Sequence, residues 1–172
     1  MTDAAPVRPP WSVVVVATGL ALVSLLVAAA ALLLGGGVGG GAGDGDGDGE
    51  QDRASALTAA RERTARLTSY DHRTLDADFA AVLATATGDF DRDFRATSEQ
   101  LRPTFVREQA VATANVVGAG LESAGSDRAV AVVAVDQVIS TQGEAPRTER
   151  NRLRMTLVRP DSTWLVERVQ RL

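Results

Sequence analysis

The chain has 172 residues, which suits one domain with accessory segments rather than two full domains. It has no cysteine, which excludes disulfides, thiolate nucleophiles, cysteine-bound zinc and a lipid-modified lipoprotein cysteine. All 18 basic residues are arginine, and the formal charge of −4 arises in one short acidic stretch; from Arg53 onward 17 arginines face 16 acids, without the basic excess of a nucleic-acid binder.

Residues 1–10 carry Arg8 and the α-amine. They are followed by "WSVVVVATGLALVSLLVAAAALLL", residues 11–34, 24 positions without a charge. A helix of that length spans roughly 36 Å at 1.5 Å per residue, enough for a hydrocarbon core about 30 Å thick. Trp11 stands where an interfacial aromatic anchors a transmembrane helix. The competing reading is a cleaved signal peptide ending near Ala28-Ala29-Ala30. The apolar run is longer than a signal core and continues through Leu32–Leu34, which favours a single-pass anchor. The first arginine on the far side is Arg53, so the expected orientation has residues 1–10 in the cytoplasm and the rest of the chain outside.

Residues 35–52 follow, with glycine alternating with acid in "GAGDGDGDGEQD". Asp44, Asp46 and Asp48 with Gly49 resemble positions 1, 3, 5 and 6 of a calcium loop. Position 12, where a bidentate glutamate closes the shell, is Ser55. Glycine-rich acidic sequence cannot bury a core, so the stretch is expected to be a flexible linker and no metal site is assigned.

Residues 53–172 are expected to form one exported α+β domain. Leu57, Ala60, Arg61 and Arg63 to Leu67 predict a first amphipathic helix. Thr74 is expected to cap a second, with Leu75, Phe79, Val82 and Leu83 on one face and Asp76 and Asp78 at its positive end. Gly88 ends that helix. A third begins at Asp89 with Phe90, Phe94 and Leu101 inward, and Pro103 should kink or interrupt it. From residue 110 the period changes to two. Four β-branched runs separated by "AGSD", "TQGEAPR" and "PDS" predict a four-stranded antiparallel meander. Arg150, Arg152, Arg154 and Thr156 alternate with Asn151, Leu153, Met155 and Leu157, as in a half-buried strand. Helices first and strands afterwards imply helices packed on one face of a curved sheet.

Candidate chemistry is sparse. His72 is the single histidine, and a lone histidine beside a helix start is usually structural. Asp136 interrupts the apolar run "VAVVAVDQVI". It could act as a base in a pocket, or sit on the solvent face or beside an arginine of the next strand, and the structural pairing is favoured. The row Arg150, Arg152 and Arg154 could grip an acidic partner, but more often such a row is simply the wet face of an antiparallel sheet. No phosphate loop, nucleophile elbow or metal motif is present, so no catalytic residue and no cofactor is assigned and the chain is expected not to be an enzyme.

The string "LTSYDHRTLDADFAAVLATATGDF", together with "DRAVAVVAVDQVIS" and "RLRMTLVRPDSTWLVERV", resembles the Mce-associated membrane proteins of actinobacteria. The similarity covers about residues 55–172, and its most specific part is Tyr70-Asp71-x-Arg73-Thr74-Leu75-Asp76-x-Asp78. His72 stands where an aromatic is common in that family, and Ser162 where a glycine is. The resemblance implies a nuclear-transport-factor-2-like (NTF2-like) domain on one transmembrane helix. It also implies an accessory role beside Mce-domain and permease subunits of a lipid or sterol importer, with no nucleic-acid partner. Tyr70, Asp71, Arg73, Asp76, Asp78, Arg150, Arg152 and Arg154 are the expected partner contacts. Two alternatives are an exported ligand pocket containing Asp136 and Tyr70, and a scaffold subunit of a secretion or conjugation machine.

Overall fold

The computed structural model describes residues 48–172, so the apolar run 11–34 and the linker up to residue 47 lie outside the described residues. Among the described residues, no helix is long and apolar enough to cross a membrane. Three helices and five strands follow in the order α1 (Asp48–Leu67), β1 (Tyr70–Asp71), α2 (Leu75–Leu83), α3 (Gly88–Arg107), β2 (Val111–Ala124), β3 (Arg128–Ser140), β4 (Arg147–Val158) and β5 (Leu165–Arg171). The strands form one antiparallel sheet in sequential order β1-β2-β3-β4-β5. The expected α+β class and the three helices are present, but the sheet has five strands rather than four. The additional strand, β1, is two residues long and lies inside the motif read as the start of a helix. Two residues are too few for any period to show.

Alternation builds the core. In β3 the side chains of Ala129, Ala131, Val133, Val135, Gln137 and Ile139 are buried, and in β4 those of Asn151, Leu153, Met155 and Leu157 are. The intervening residues lie on the outer face, as period two requires. All four phenylalanines of the chain join the inner layer: Phe90, Phe94 and Phe105 of α3 and Phe79 of α2 are each at most 6 % exposed. Phe79 meets Phe94 edge-on with ring centroids 5.9 Å apart, and Phe105 lies 4.6 Å from Tyr70. The inward positions of α3 are Phe90, Phe94, Thr97, Ser98, Leu101 and Phe105, the helical spacing of one continuous stripe. The helix runs through Pro103 without interruption, so the break that was one of the two expected outcomes does not occur. Phe105 and Leu101 on either side are both buried, and their packing offsets the hydrogen bond that proline cannot donate.

Helix α1 also departs from the expected boundaries. It starts at Asp48, so residues 48–52, assigned to the flexible linker, are helical. Acids in the first turns favour the positive end of a helix. The glycines of this stretch favour coil, but a tertiary clamp holds residues 52 and 55 in the helix. Arg159, at the end of β4, pairs with Asp52 at 2.7 Å and lies 4.8 Å over the Trp164 ring. The Trp164 indole donates to the Ser55 hydroxyl at 3.0 Å, and that hydroxyl donates to the Asp52 carbonyl at 2.9 Å. Ser55 is therefore a helix residue under Trp164, and helical backbone from Asp48 to Ser55 is incompatible with a calcium loop over residues 44–55. Farther along α1, the small side chains of Ala56, Ala59 and Ala60 let the helix lie close against β2 and β3.

Phe105→Ala should lower the unfolding free energy by about 3–5 kcal/mol, the cost of a large cavity in a packed aromatic core, as read from urea denaturation. Asp52→Ala should cost about 1 kcal/mol by removing a partly buried ion pair. A Gly/Ser replacement confined to residues 44–47 should leave the midpoint unchanged.

Candidate functional site

The eight expected contact residues fall on opposite sides of the sheet. Tyr70, Asp71, Arg73, Asp76 and Asp78 surround the short loop between α1 and α2. Arg150, Arg152 and Arg154 stand on the outer face of β4. The structure does not bring the two groups together.

The loop group is tied up internally. Asp78 accepts from the Asp71 amide at 2.9 Å and from the Thr74 hydroxyl at 3.0 Å. Thr74 is thus not the side-chain cap that was expected: its hydroxyl donates to Asp78 instead of accepting from the backbone of the first turn. Asp71 accepts from the Arg73 amide and its Nε, both at 2.9 Å, and pairs with the Arg73 guanidinium. The Arg73 side chain holds the Asp71 carboxyl well below the usual carboxylate range. Asp76 pairs with Arg102 of α3 at 2.6 Å, and Arg102 also binds Glu99 and lies over the Phe79 ring. His72 places Nδ1 3.5 Å from Asp71, and its amide donates to the Ala110 carbonyl. This loop is a staple joining α1, α2, α3 and the start of β2.

Tyr70 is 8 % exposed and pairs in register with Ala112 of β2. Burial pushes its phenol up to about 12; Arg147 opposes the shift and Glu149 adds to it. Gln137, which the sequence reading passed over, is wholly buried and donates to the Thr68 carbonyl at 2.7 Å. A glutamine on the inward phase of an apolar strand was the signal available for it.

On the outer face, three lanes of side chains run across the sheet. Arg150 faces Asp136, which in turn faces Asn115; Arg152 faces Ala134 and then Gly118; Arg154 faces Val132 and then Gly120. Asp136 therefore lies on the outer face opposite an arginine, not in an interior pocket beside Tyr70. Arg154 crosses its lane to Glu122 of β2, with 2.8 Å between Nη2 and Oε1, and Glu122 raises its pKa. Arg150 and Arg152 are exposed and have no ion pair among the described residues. Beside them lies a hollow of about 420 Å³ lined by Val117, Ala134, Asp136, Arg150, Arg152 and Arg171. The arrangement offers cationic hydrogen-bond donors around a mixed floor of Val117, Ala134 and the Asp136 carboxylate.

The family described as "Uncharacterized protein Rv1363c/MT1408-like" matches residues 12–170. The chain belongs to this family. It is 31 % identical over 143 residues to the protein called "Outer membrane protein Rv1973" of Mycobacterium tuberculosis, covering 83 % of this chain and 89 % of that one. Solved structures that share the fold include the following two. An IcmL-like type IV secretion system protein of Legionella pneumophila matches with a TM-score of 0.59 at 12 % identity, over 70 % of this chain and 92 % of that chain. The periplasmic domain of DotI matches with a TM-score of 0.58 at 11 % identity, over 77 % and 99 %. The helices-then-meander architecture is NTF2-like, as the resemblance implied. An association with Mce transporters is not shown by these relatives.

The single tyrosine makes its burial directly measurable. Because its folded pKa is raised, the stability it contributes is fully present below pH 10 and is lost as pH rises toward about 12. Tyrosinate absorbance should stay flat through pH 10 and then rise together with loss of the folded circular dichroism signal.

Proposed function

We propose that the protein is a non-enzymatic assembly subunit of an envelope transport machine, anchored by residues 11–34 with its NTF2-like domain outside the cytoplasm. The observation that carries this reading is the division of polar side chains. The motif loop uses its charges in internal staples, whereas Arg150 and Arg152 are left exposed beside a hollow that mixes Asp136 with Val117 and Ala134, the chemistry of an interface. One relative bears an outer-membrane name, and the same fold serves a type IV secretion protein and a periplasmic domain, which supports a scaffold role. A more specific version, favoured by the motif strings of residues 55–172, places the subunit in an Mce-type lipid or sterol importer beside Mce-domain and permease subunits.

Affinity purification of the tagged full chain from alkali-washed membranes of its own cells tests both. The chain should remain in the membrane pellet and bring down a fixed set of envelope subunits, whose levels fall when the gene is deleted. Secretion-machine subunits would select the scaffold version, and Mce-domain with permease subunits the importer version. Recovery of the chain alone, with no abundance change on deletion, would overturn the assembly role. His72→Ala should leave the function intact in cells, because His72 lies away from the Arg150–Arg152 face and is assigned no chemistry.

A further inference from the structure

Strand β2 has an open edge. β1 pairs only with Val111 and Ala112, and Ser69 takes the Ala114 amide through its hydroxyl at 3.2 Å. From Asn115 to Ala124, no other described strand lies along that side. β-Bulges at Val117 and Glu122 bracket Gly118–Leu121, which keep regular register with Ala134–Ala131 of β3. Bulges shorten an edge and oppose indiscriminate pairing, so they leave a window of four residues. At Gly118 and Gly120 an added Cβ would meet nothing within 4 Å, so the outer surface beside this edge is clear of side chains.

The three outer lanes show what is missing at this window. In the Arg154 lane the chain supplies its own carboxylate, Glu122, which Arg154 reaches by leaning across β3. In the Arg152 lane the corresponding positions are Ala134 and Gly118, and no acid meets the guanidinium. A strand added beyond β2 would lie three strand spacings from β4, roughly 14 Å. An extended arginine and an extended glutamate joined by a charge-assisted hydrogen bond bridge about that distance across small residues.

We propose that the Gly118–Leu121 edge of β2, together with Arg150 and Arg152, receives an extended acidic segment of a partner polypeptide. The segment adds as a strand. Its outward carboxylates reach the two arginines over Ala134 and Gly118, and its inward apolar side chains lie beside Ala119 and Leu121. Main-chain hydrogen bonds supply affinity and the arginines supply selection. The inference deepens the assembly reading by naming the surface and the partner's chemistry, and rests on it.

The test uses the full chain in detergent and a fluorescent octapeptide of alternating valine and glutamate, with a valine–lysine octapeptide as control. The acidic peptide should bind at least about tenfold more tightly than the basic one, the scale of a charge-assisted contact. It should also slow amide exchange within residues 118–121. Arg150→Glu with Arg152→Glu should lose about tenfold in affinity at unchanged Tm. Gly118→Glu recreates in the Arg152 lane the internal pair that Glu122 makes with Arg154, so it should block the peptide while Tm holds or rises.

Equal affinity for both peptides, or indifference to these variants, would overturn the proposal. Arginine-dependent binding without protection at 118–121 would also overturn it, because the carboxylate would then bind without strand addition. Displacement of the peptide by phosphatidylglycerol vesicles would assign the face to a membrane surface instead, and self-association protecting 118–121 would assign it to a second copy. In cells, full subunit recovery by Gly118→Glu would defeat this inference and leave the assembly reading standing. No recovery even by the unaltered chain would defeat the assembly reading.

Discussion

Strand β3 is paired along nearly its whole length on both sides, with β2 across twelve register positions and with β4 across twelve more. That double pairing sets one phase for the sheet. A shift of one residue would bury Asp136 and the β4 arginines and expose Val133, Val135 and Leu153, so the register has no near competitor. Helix α1, the phenylalanine layer and the outer arginine lanes all take their positions from this phase. The inner face of β3 carries the small Ala129 and Ala131 near its start and the larger Val133, Val135 and Ile139 farther along, all buried.

Curvature follows from interruptions to the same ladder. Bulges at Val117 and Glu122 in β2, and a third register shift between Thr156 and Leu157 where β4 meets β5, increase local twist and curl the sheet around the helices. The far edge is closed differently. The Val166 amide donates to the Thr85 carbonyl, and the Thr87 amide to the Val166 carbonyl, so the α2–α3 connection covers β5 there. Gly88, with φ of +60°, makes the turn that lets the chain leave that contact and enter α3. One sheet edge is thus covered at Val166 while the β2 edge is left open beyond Ala114.

Arginine without lysine gives the domain a particular electrostatic economy. A guanidinium can hold a carboxylate and lie on a ring at the same time, as Arg102 does with Asp76, Glu99 and Phe79, and Arg159 with Asp52 and Trp164. These multivalent contacts join elements distant in sequence. Against them, Arg152 of β4, whose lane holds Ala134 and Gly118 instead of an acid, stands out as a surface kept for something else.

Much was determined by the sequence alone. The change from helical spacing to alternation near residue 110 fixed the α+β order, and the alternation in Arg150–Leu157 correctly divided β4 into a wet face and a buried face, because side-chain period follows from local backbone geometry. The inward stripe Phe90, Phe94 and Leu101 was readable for the same reason. Tertiary structure alone decided the rest. Strand β1 exists because β2 offers an edge to Tyr70 and Asp71. Helix α1 extends back to Asp48, with Arg159 and Trp164, more than a hundred residues away, holding Asp52 and Ser55. The motif acids proved to be staples, Arg154 a partner of Glu122, and Arg152 an exposed cation without an ion pair among the described residues, because an ion pair depends on which carboxylate the fold brings within a few ångströms. Spacing along the chain carries no record of that distance.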